Sequence, residues 1–382
     1  MIASEWMPIV DVVIEGFYAE ADFIKCGIVI FHKVQNVRIY APRILNAGQG
    51  DTGNDKGAYA IMCYGDTGEL IDITIDDAVI VTPRSCGIYL RLAENVTINN
   101  PKVSGQTDTD MSSLPKGGIV TNGAINVKVN GGLLHNNVFH ASFVALTGSS
   151  AFDIEMTGTR MTGTGTGVIL SPASGAGVPD GVRFFNCDVA VAGHALRQLN
   201  ENRAVKNLVI NGGRWVSTGA TAIELNPYDG AALTGYRFEN CTIGSPNRGI
   251  DADSPGATAT GDLTISNVIF FDSGATALQY AIIARNFPNL NIDNVLIRDM
   301  GTGFATLTDA ANGSIRNLRK RSVTNGFSAN SLGMIAPTIA GQQGWFVENL
   351  NPVEAGAAAS KYVNEGWVYS GAWLPQHRLT GN

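Results

Sequence analysis

Three carboxylates recur at a spacing that suits acid–base chemistry. Glu224 lies in "AIELN", and Asp251 and Asp253 lie in "GIDAD", which begins 27 residues later. Similar segments carry Arg197 before them and Arg285 after them. If these segments stack, the acids share one face, and their repulsion favours a neutral carboxyl beside an ionised one. One carboxyl could then protonate a leaving oxygen while the other attacks or activates water, as glycoside hydrolysis requires.

The same acids have other interpretations. Acidic residues with arginines nearby are common on solvated strands, where they only balance charge. The acids could also contact sugar without catalysing its cleavage. Their carboxylate oxygens are also ligands that Ca²⁺ prefers.

A repeated octet is expected to position these residues. Its form is apolar-x-apolar-x-turn-x-x-apolar, and "LVINGGRW" and "LNIDNVLI" show it clearly. The alternation predicts a strand with one buried face. The fifth residue is Gly, Asn or Asp in every copy except the one at Val37; these residues enter left-handed backbone conformations at low cost, so we expect a corner there. Copies begin at Val12, Val37, Ile73, Val96, Val127, Ile154, Val182, Leu208, Tyr236, Leu263, Leu290 and Gly313.

A second, five-residue motif precedes most octets. Its second and fourth residues are predicted to point inward and its third and fifth outward. Coils of 23 to 36 residues built from both motifs predict an all-β fold, a right-handed single-stranded parallel β-helix of about 11–12 coils. A β-sandwich or a propeller is the competing fold, but propeller blades usually need about 40 residues. The motif begins at Gly27, Ala60, Gly87, Gly118, Phe143, Gly167, Ala195, Ala222, Gly249, Ala281 and Gly303.

Four consecutive connections after this motif are long. They read "SPASGAGVPD", "NENRAV", "NPYDGAALTG" and "DADSPGATATG". We expect them to wall a groove over the carboxylates. Asn226, Tyr228 and Asp229 would then reach the groove and bind sugar together with Arg197 and Arg285.

Composition excludes several classes of function. The net charge of −7 argues against a nucleic-acid partner, because nucleic-acid binders cluster Lys and Arg. No apolar run approaches the length of a membrane span, and no signal peptide is visible. The five cysteines are an odd count that does not suit a disulfide framework. The sequence predicts no cofactor and no metal.

Weaker candidates lie elsewhere in the chain. Tyr64, Tyr89 and Arg91 form an outward patch in which Tyr could act as the base of a lyase and Arg could neutralise a uronate carboxylate. His194 borders the predicted groove, and Trp215 is predicted to lie in the core.

The repeat stops near Gly326, which predicts a β-helix domain at 1–326 and a small C-terminal module at 327–382. Three of the five tryptophans lie in this last segment. An open end of a β-helix exposes backbone donors and acceptors, so a cap or an assembly module is expected there.

The stacked "VxIxN" coils resemble the pectin-lyase-like right-handed parallel β-helix superfamily over about Val12 to Asn325. The ending "NEGWVYSGAWLPQHRLTG" resembles those of bacteriophage tailspike and tail-fibre polysaccharide depolymerases. This resemblance implies a homotrimeric endo-glycosidase on the virion tail, or outside the cell, that cleaves bacterial surface polysaccharide. Several tailspike hydrolases place one Glu on a coil and two Asp on the next, which Glu224, Asp251 and Asp253 match in type and order.

Two departures from the resemblance remain. No virion-anchoring domain precedes the coils, which is expected of a fragment or a stand-alone enzyme. The Asp-Asp and Gly-His-Gly signatures of polygalacturonases are absent, which argues against pectin as substrate. A lyase of the same fold and a non-catalytic polysaccharide-binding adhesin or spike stay open as alternatives.

Overall fold

The computed structural model describes residues 2–3, 9–20, 25–49, 58–66, 69–109, 116–145, 153–172, 180–199, 205–225, 233–253, 261–274, 278–285, 287, 289–298, 305–308, 314–321, 346–348, 354–355, 361–370 and 372–381. These residues form strands, here numbered β1 to β38 in chain order, and the corners between them, with no helix among them. A helix with the length and hydropathy to cross a membrane is accordingly not found in these ranges.

The first sheet has twelve strands, and every neighbouring pair in it is parallel. It contains the second sequence motif. Its strands are β1 (Ile2–Ala3), β4 (Cys26–Phe31), β7 (Tyr59–Tyr64), β10 (Cys86–Arg91), β13 (Gly117–Asn122), β16 (Phe139–Ala145), β19 (Thr166–Pro172), β22 (Leu196–Gln198), β25 (Ile223–Leu225), β28 (Arg248–Asp253), β31 (Tyr280–Arg285) and β33 (Ala305–Thr308).

The second sheet has 22 strands in two rows, which correspond to the two halves of the octet. The first row is β2 (Ile9–Glu15), β5 (Val34–Tyr40), β8 (Leu70–Asp76), β11 (Ala93–Asn99), β14 (Ile125–Asn130), β17 (Ile154–Thr157), β20 (Asp180–Phe185), β23 (Lys206–Asn211), β26 (Tyr236–Glu239), β29 (Asp262–Ser266), β32 (Asn289–Arg298) and β34 (Ser314–Arg321). The second row is β3 (Tyr18–Glu20), β6 (Arg43–Leu45), β9 (Val79–Val81), β12 (Lys102–Ser104), β15 (Leu133–His135), β18 (Arg160–Gly163), β21 (Asp188–Val191), β24 (Arg214–Ser217), β27 (Thr242–Gly244) and β30 (Ile269–Phe271).

Successive coils stack strand on strand. In one coil β10 is followed by β11 and β12, and the next coil pairs β13, β14 and β15 with them in the same order. All these pairings are parallel, so the chain forms a parallel β-helix, as the repeat predicts. Residues about one coil apart in sequence therefore become lateral neighbours, roughly 4.8 Å apart along the stack.

The predicted corner is confirmed at the fifth octet position. In the octets from Ile73 to Leu290 its residues have φ between 49° and 78°, in the left-handed region where Asn, Asp and Gly are least costly, and Ala41 of the octet at Val37 has φ of 46°. Amides also form a ladder here, since Asn294 Nδ2 donates to Asn267 Oδ1 and Asn267 Nδ2 donates to Asn240 Oδ1. The left-handed corner residues are Asp77, Asn100, Gly131, Gly158, Asn186, Gly212, Asn240, Asn267 and Asn294, whereas Asn317 lies inside β34.

The core runs along the inside of the coils. The first and third octet residues are buried, as are the second and fourth residues of the second motif. Each buried aliphatic or aromatic side chain of this kind contributes about 1.5–3 kcal/mol. Trp215 is fully buried and lies edge-on to Phe184 with ring centroids 5.1 Å apart, which confirms its predicted place in the core. All five cysteines are free thiols.

Two rungs of the first sheet differ in register from the prediction. The motif that begins at Phe143 is wrong by position, because Ser142 rather than Ala145 pairs with Val120 on the outward side. In the last rung Thr306, not Ala305, is the partner of outward Ile283. These two motifs match the others only in their apolar residues, which do not fix the register. Because an alternating strand shifted by an odd number of residues exchanges its inward and outward faces, both faces were predicted wrongly.

A small antiparallel sheet follows the coils. It consists of β35 (Phe346–Glu348), β36 (Glu354–Ala355), β37 (Lys361–Tyr369) and β38 (Trp373–Gly381). Its central pairing joins β37 to β38, with an irregularity between Asn364 and Gly366. Among the described strands, the antiparallel pairings all lie in this C-terminal part. The exact boundary at residue 326 stays a prediction.

Candidate functional site

One column of side chains crosses the first sheet at β19, β22, β25, β28 and β31. Arg197 pairs with Glu224, and Glu224 pairs with Asp251, on directly neighbouring strands. Ile169 and Ile283 close the column at its two ends. The fold thus brings together residues that are 27 apart in sequence, and the parallel register fixes their order.

Glu224 lies among cationic and titratable neighbours. Its Oε2 atom is 2.9 Å from Arg197 Nε and 3.3 Å from His194 Nε2. The side chain is 23% exposed, so a ligand could still reach it. Neither contact has the alignment of a hydrogen bond, because Oε2 is buried without a hydrogen-bond partner.

Asp251 is almost completely buried, with 3% of its surface exposed. Its Oδ2 atom accepts a hydrogen bond from Arg248 Nη1, three residues earlier on β28. A buried carboxylate is costly unless it is paired, so Arg248 is the residue that allows an ionised Asp251 at this position.

Polar atoms without hydrogen-bond partners are concentrated in this column. Arg197 Nε, Glu224 Oε2, Arg248 Nε and Asp251 Oδ1 are four of the eight such buried side-chain atoms among the described residues. Buried polar atoms are normally satisfied, and exceptions in native structures call for a ligand, a water or a catalytic role. Two of the four are donors and two are acceptors, so a bound group would have to accept and to donate.

Arg248 is a functional candidate that the sequence reasoning missed. It stands immediately before the Gly that begins "GIDAD", outside the positions assigned to the outward face. The expected flanking arginine, Arg285, instead pairs in register with Asp253 at the end of β28. The only available signal was the three-residue spacing between Arg248 and Asp251. Each carboxylate of the pair therefore has its own guanidinium, where the sequence had suggested mainly mutual repulsion.

His194 completes the group. Its Nδ1 atom donates a hydrogen bond to the carbonyl oxygen of Thr221, at 2.9 Å. Burial lowers the pKa of His194 below its ordinary value of 6.5, Glu224 opposes that shift, and Arg197 adds to it. Burial therefore favours the neutral ring of His194, whereas the neighbouring Glu224 favours the charged ring.

The remaining predicted site residues lie wholly or partly outside the described part of the chain. The backbone of Asp253 belongs to β28, but its side chain lies outside the described part. Asn226, Tyr228 and Asp229 lie outside the described residues, as does most of each of the four long connections. The catalytic and sugar-binding roles of all these residues stay predictions.

The outward patch near the N-terminal coils does not provide an accessible tyrosine base at Tyr89. That side chain is 2% exposed, and burial raises its pKa to about 12. Its hydroxyl also accepts a hydrogen bond from Asn122 Nδ2 at 2.9 Å. Tyr64 is half-buried, and the Arg91 guanidinium lies 4.2 Å above the centre of its ring. Of the predicted lyase set, only Tyr64 and Arg91 remain open to solvent.

One group of side chains could hold a divalent cation. His32 Nδ1 lies 3.1 Å from Glu69 Oε2 and 3.7 Å from Asp66 Oδ2. Among the described residues it is the one set of three His, Cys, Asp or Glu side chains with converging ligand atoms.

In the carboxylate column, by contrast, arginines neutralise Glu224 and Asp251, so the calcium interpretation of those acids is disfavoured.

Comparison with known proteins finds similarity in structure but not in sequence. No family model matches the chain, and neither does any curated protein sequence. The Streptococcus pneumoniae surface protein and adhesin PfbA is similar in structure, with a TM-score of 0.50 and 13% identity over 81% of this chain and 90% of that one. An N-terminal fragment of bacteriophage Phi29 gene product 12 has a TM-score of 0.51 and 13% identity over 81% of this chain. The match spans 56% of that fragment. At such low identity the likeness shows a shared β-helix fold.

Proposed function

We propose that this protein is a polysaccharide depolymerase, an endo-acting glycosidase that cleaves bacterial surface polysaccharide. The observation that supports it best is the pair of carboxylates on adjacent strands, Glu224 and Asp251, each beside its own arginine. Most glycoside hydrolases use two carboxyl groups that flank the bond to be cleaved.

The unpartnered atoms of the column suit a sugar. Asp251 Oδ1 and Arg248 Nε have no hydrogen-bond partner, and the ion pair of Glu224 Oε2 with Arg197 Nε is not aligned as a hydrogen bond, so the column offers a ligand two acceptors and two donors. A hydroxyl group donates and accepts, so the hydroxyls of a sugar ring meet both needs. An inorganic anion would satisfy the arginines but not the acids.

The two carboxyls differ in environment, which favours different roles. Asp251 is buried against Arg248, so it is suited to stay ionised as nucleophile or as general base. Glu224 contacts His194, whose ring can pass it a proton, so it is suited to protonate the leaving oxygen. The glycosidic C–O bond then breaks with its electron pair on the leaving oxygen, while Asp251 attacks the anomeric carbon or removes a proton from the attacking water.

The location and assembly belong to the same proposal. One structural neighbour is a surface protein and adhesin and the other is a bacteriophage protein, which supports a place on a virion tail or outside the cell. We also propose a homotrimer, as the resemblance to tailspikes implies. Light scattering on the purified chain tests this, and a monomeric mass contradicts it.

A panel of capsular polysaccharides and lipopolysaccharides separates the proposal from its rivals. A hydrolase releases new reducing ends without ultraviolet absorbance, whereas a lyase also forms an unsaturated, absorbing product. An adhesin binds a polysaccharide and releases neither. Binding without any cleavage on a polysaccharide that the protein recognises would refute the glycosidase proposal.

A further inference from the structure

His194 makes a hydrogen bond in which its ring can only be the donor. Nδ1 lies 2.9 Å from the carbonyl oxygen of Thr221, and a carbonyl oxygen only accepts. Nδ1 must therefore carry a hydrogen in every charge state of the ring. A neutral imidazole has one N–H, so the neutral form leaves Nε2 with a bare lone pair.

That lone pair lies close to an acid. Nε2 is 3.3 Å from Glu224 Oε2, on the neighbouring coil, but the contact is not aligned as a hydrogen bond, so a proton can be shared only after one of the two side chains rotates. With neutral His194 and ionised Glu224, two electron-rich atoms would lie at van der Waals contact with no hydrogen between them. A proton on either atom turns this repulsion into attraction.

Two influences decide which atom carries that proton. Arg197 Nε lies 2.9 Å from the same Oε2 atom and stabilises the carboxylate, which places the proton on His194. Burial acts in the opposite direction, since it lowers the pKa of His194 and disfavours the proton on its ring. The charged side chains that act on His194 are Glu224 from β25 and Arg197 from β22, and the Arg248–Asp251 pair lies one strand beyond Glu224.

We propose that His194 and Glu224 hold one proton between them, and that His194 is the positioning residue that keeps this proton available for the leaving group. The proposal rests on the proposed glycosidase function, and it adds the source of the acid's proton. His194 acts through Glu224 and has no assigned contact with the sugar.

The proton balance of the step is complete. The shared proton passes from the Glu224 carboxyl to the glycosidic oxygen as the C–O bond breaks, and the electron pair stays on that oxygen. Water adds to the anomeric carbon and loses one proton. In a retaining reaction Asp251 has first formed a bond to the anomeric carbon; water displaces it, the electron pair of that bond returns to the Asp251 carboxylate, and Glu224 takes the proton from the water. In an inverting reaction Asp251 takes it and releases it to solvent, and the His194–Glu224 pair then takes up a proton from solvent.

Side-chain ¹⁵N NMR of histidine-labelled protein tests the shared proton without a substrate. In the wild type, Nδ1 of His194 should remain protonated at all pH values while Nε2 titrates. Glu224→Gln removes the carboxylate that favours the imidazolium, so the titration midpoint of His194 should fall by about 1–3 pH units. His135, which contacts Thr162 and Asn136 instead of an acid, should not change and serves as the internal control. An unchanged midpoint for His194 would overturn the proposal.

A second experiment tests the use of the proton. In His194→Gln the amide can still donate to Thr221 but cannot exchange a proton with Glu224. If the wild type cleaves a polysaccharide, this variant should show an altered pH–rate profile, whereas His135→Gln should keep the profile of the wild type. Coinciding profiles for His194→Gln and the wild type would refute the catalytic role. A protein that cleaves no polysaccharide but shows the NMR shift would retain the shared proton and lose both its catalytic use and the proposed function.

Discussion

Glu224 and Asp251 are direct partners on neighbouring strands, yet their carboxylates contact different arginines, Arg197 and Arg248. Two acids in adjacent positions of a sheet would ordinarily destabilise each other. Here each acid has a cation that approaches from a different position, Arg197 from the preceding strand and Arg248 from within β28. The arrangement permits two carboxyls on one side of a bound sugar while limiting the electrostatic cost.

Loss of Arg248 should destabilise the fold. Arg248→Met leaves Asp251, which is 3% exposed, without its cation, and breaking a buried pair in this way costs up to about 3–5 kcal/mol. Because the Arg248 side chain is 38% exposed, we expect the lower part of that range. Urea denaturation measures the free energy of unfolding. The double variant Arg248→Met/Asp251→Leu should recover most of the loss, and a single variant as stable as the wild type would show that the pair has no structural role.

The corner ladder should contribute through backbone conformation and through amide hydrogen bonds. Asn267 has φ of 53°, accepts from Asn294 and donates to Asn240. Asn267→Gly removes only the amide contacts, whereas Asn267→Ala also places a Cβ in the left-handed region, at about 1–2 kcal/mol. Thermal unfolding should therefore rank the wild type above the Gly variant and the Gly variant above the Ala variant. An Ala variant as stable as the Gly variant would contradict the corner assignment.

Buried His140 should make the stability depend on pH. It is fully buried, and burial lowers its pKa from 6.5. The carbonyl oxygens of Thr166 and Thr162, 2.9 Å from Nδ1 and 3.0 Å from Nε2, favour the protonated ring but offset only part of this effect. Below pH 6.5 the unfolded chain binds a proton that the folded chain resists, so this contribution to stability is present above 6.5 and is lost as the pH falls.

The slope from this one proton is at most about 1.4 kcal/mol per pH unit. Denaturation of the wild type and His140→Gln between about pH 8 and pH 5 isolates it, since groups common to both cancel. The wild type should lose more stability on acidification than the variant. Parallel curves would mean that His140 has the same proton affinity in the folded and unfolded chains.

Tyr89 should matter for stability and not for cleavage. Tyr89→Phe removes the hydroxyl that accepts from Asn122, at a cost of about 0.5–1.5 kcal/mol. The rate of polysaccharide cleavage should not change, because the hydroxyl is buried. A large loss of activity in a stably folded Tyr89→Phe protein would favour the lyase mechanism instead.

The fold could be predicted from the sequence because a β-helix repeats the same local demands in every coil. Alternating apolar residues such as Val96 and Ile98 mark the buried face, and Asn or Gly at the fifth octet position marks the corner. A second corner, immediately before many octets, was missed. Its residues include Asp72, Asn95 and Asn207, all with positive φ, so the same residue types carried an available signal.

The site was only partly predictable. The register of Arg197, Glu224 and Asp251 follows from strand stacking, which the repeat spacing specifies. Arg248 and His194 lie just before the five-residue motifs that begin at Gly249 and Ala195, so the alternation within those motifs could not assign their directions. Tyr89 was expected on an open face, but its burial depends on tertiary cover that a repeat pattern does not encode.

The central claim is tested most directly by reducing-end release from a cleaved polysaccharide, measured for the wild type, Glu224→Gln and Asp251→Asn. Glu155→Gln is the matched control, because Glu155 is also a half-buried glutamate beside an arginine, Arg183, but lies on the second sheet. We expect both site variants to fold and bind the polysaccharide, with rates about 10²–10⁴-fold lower than the wild type. The control should keep the wild-type rate. Wild-type rates in Glu224→Gln and Asp251→Asn would contradict the assignment of catalysis to this column.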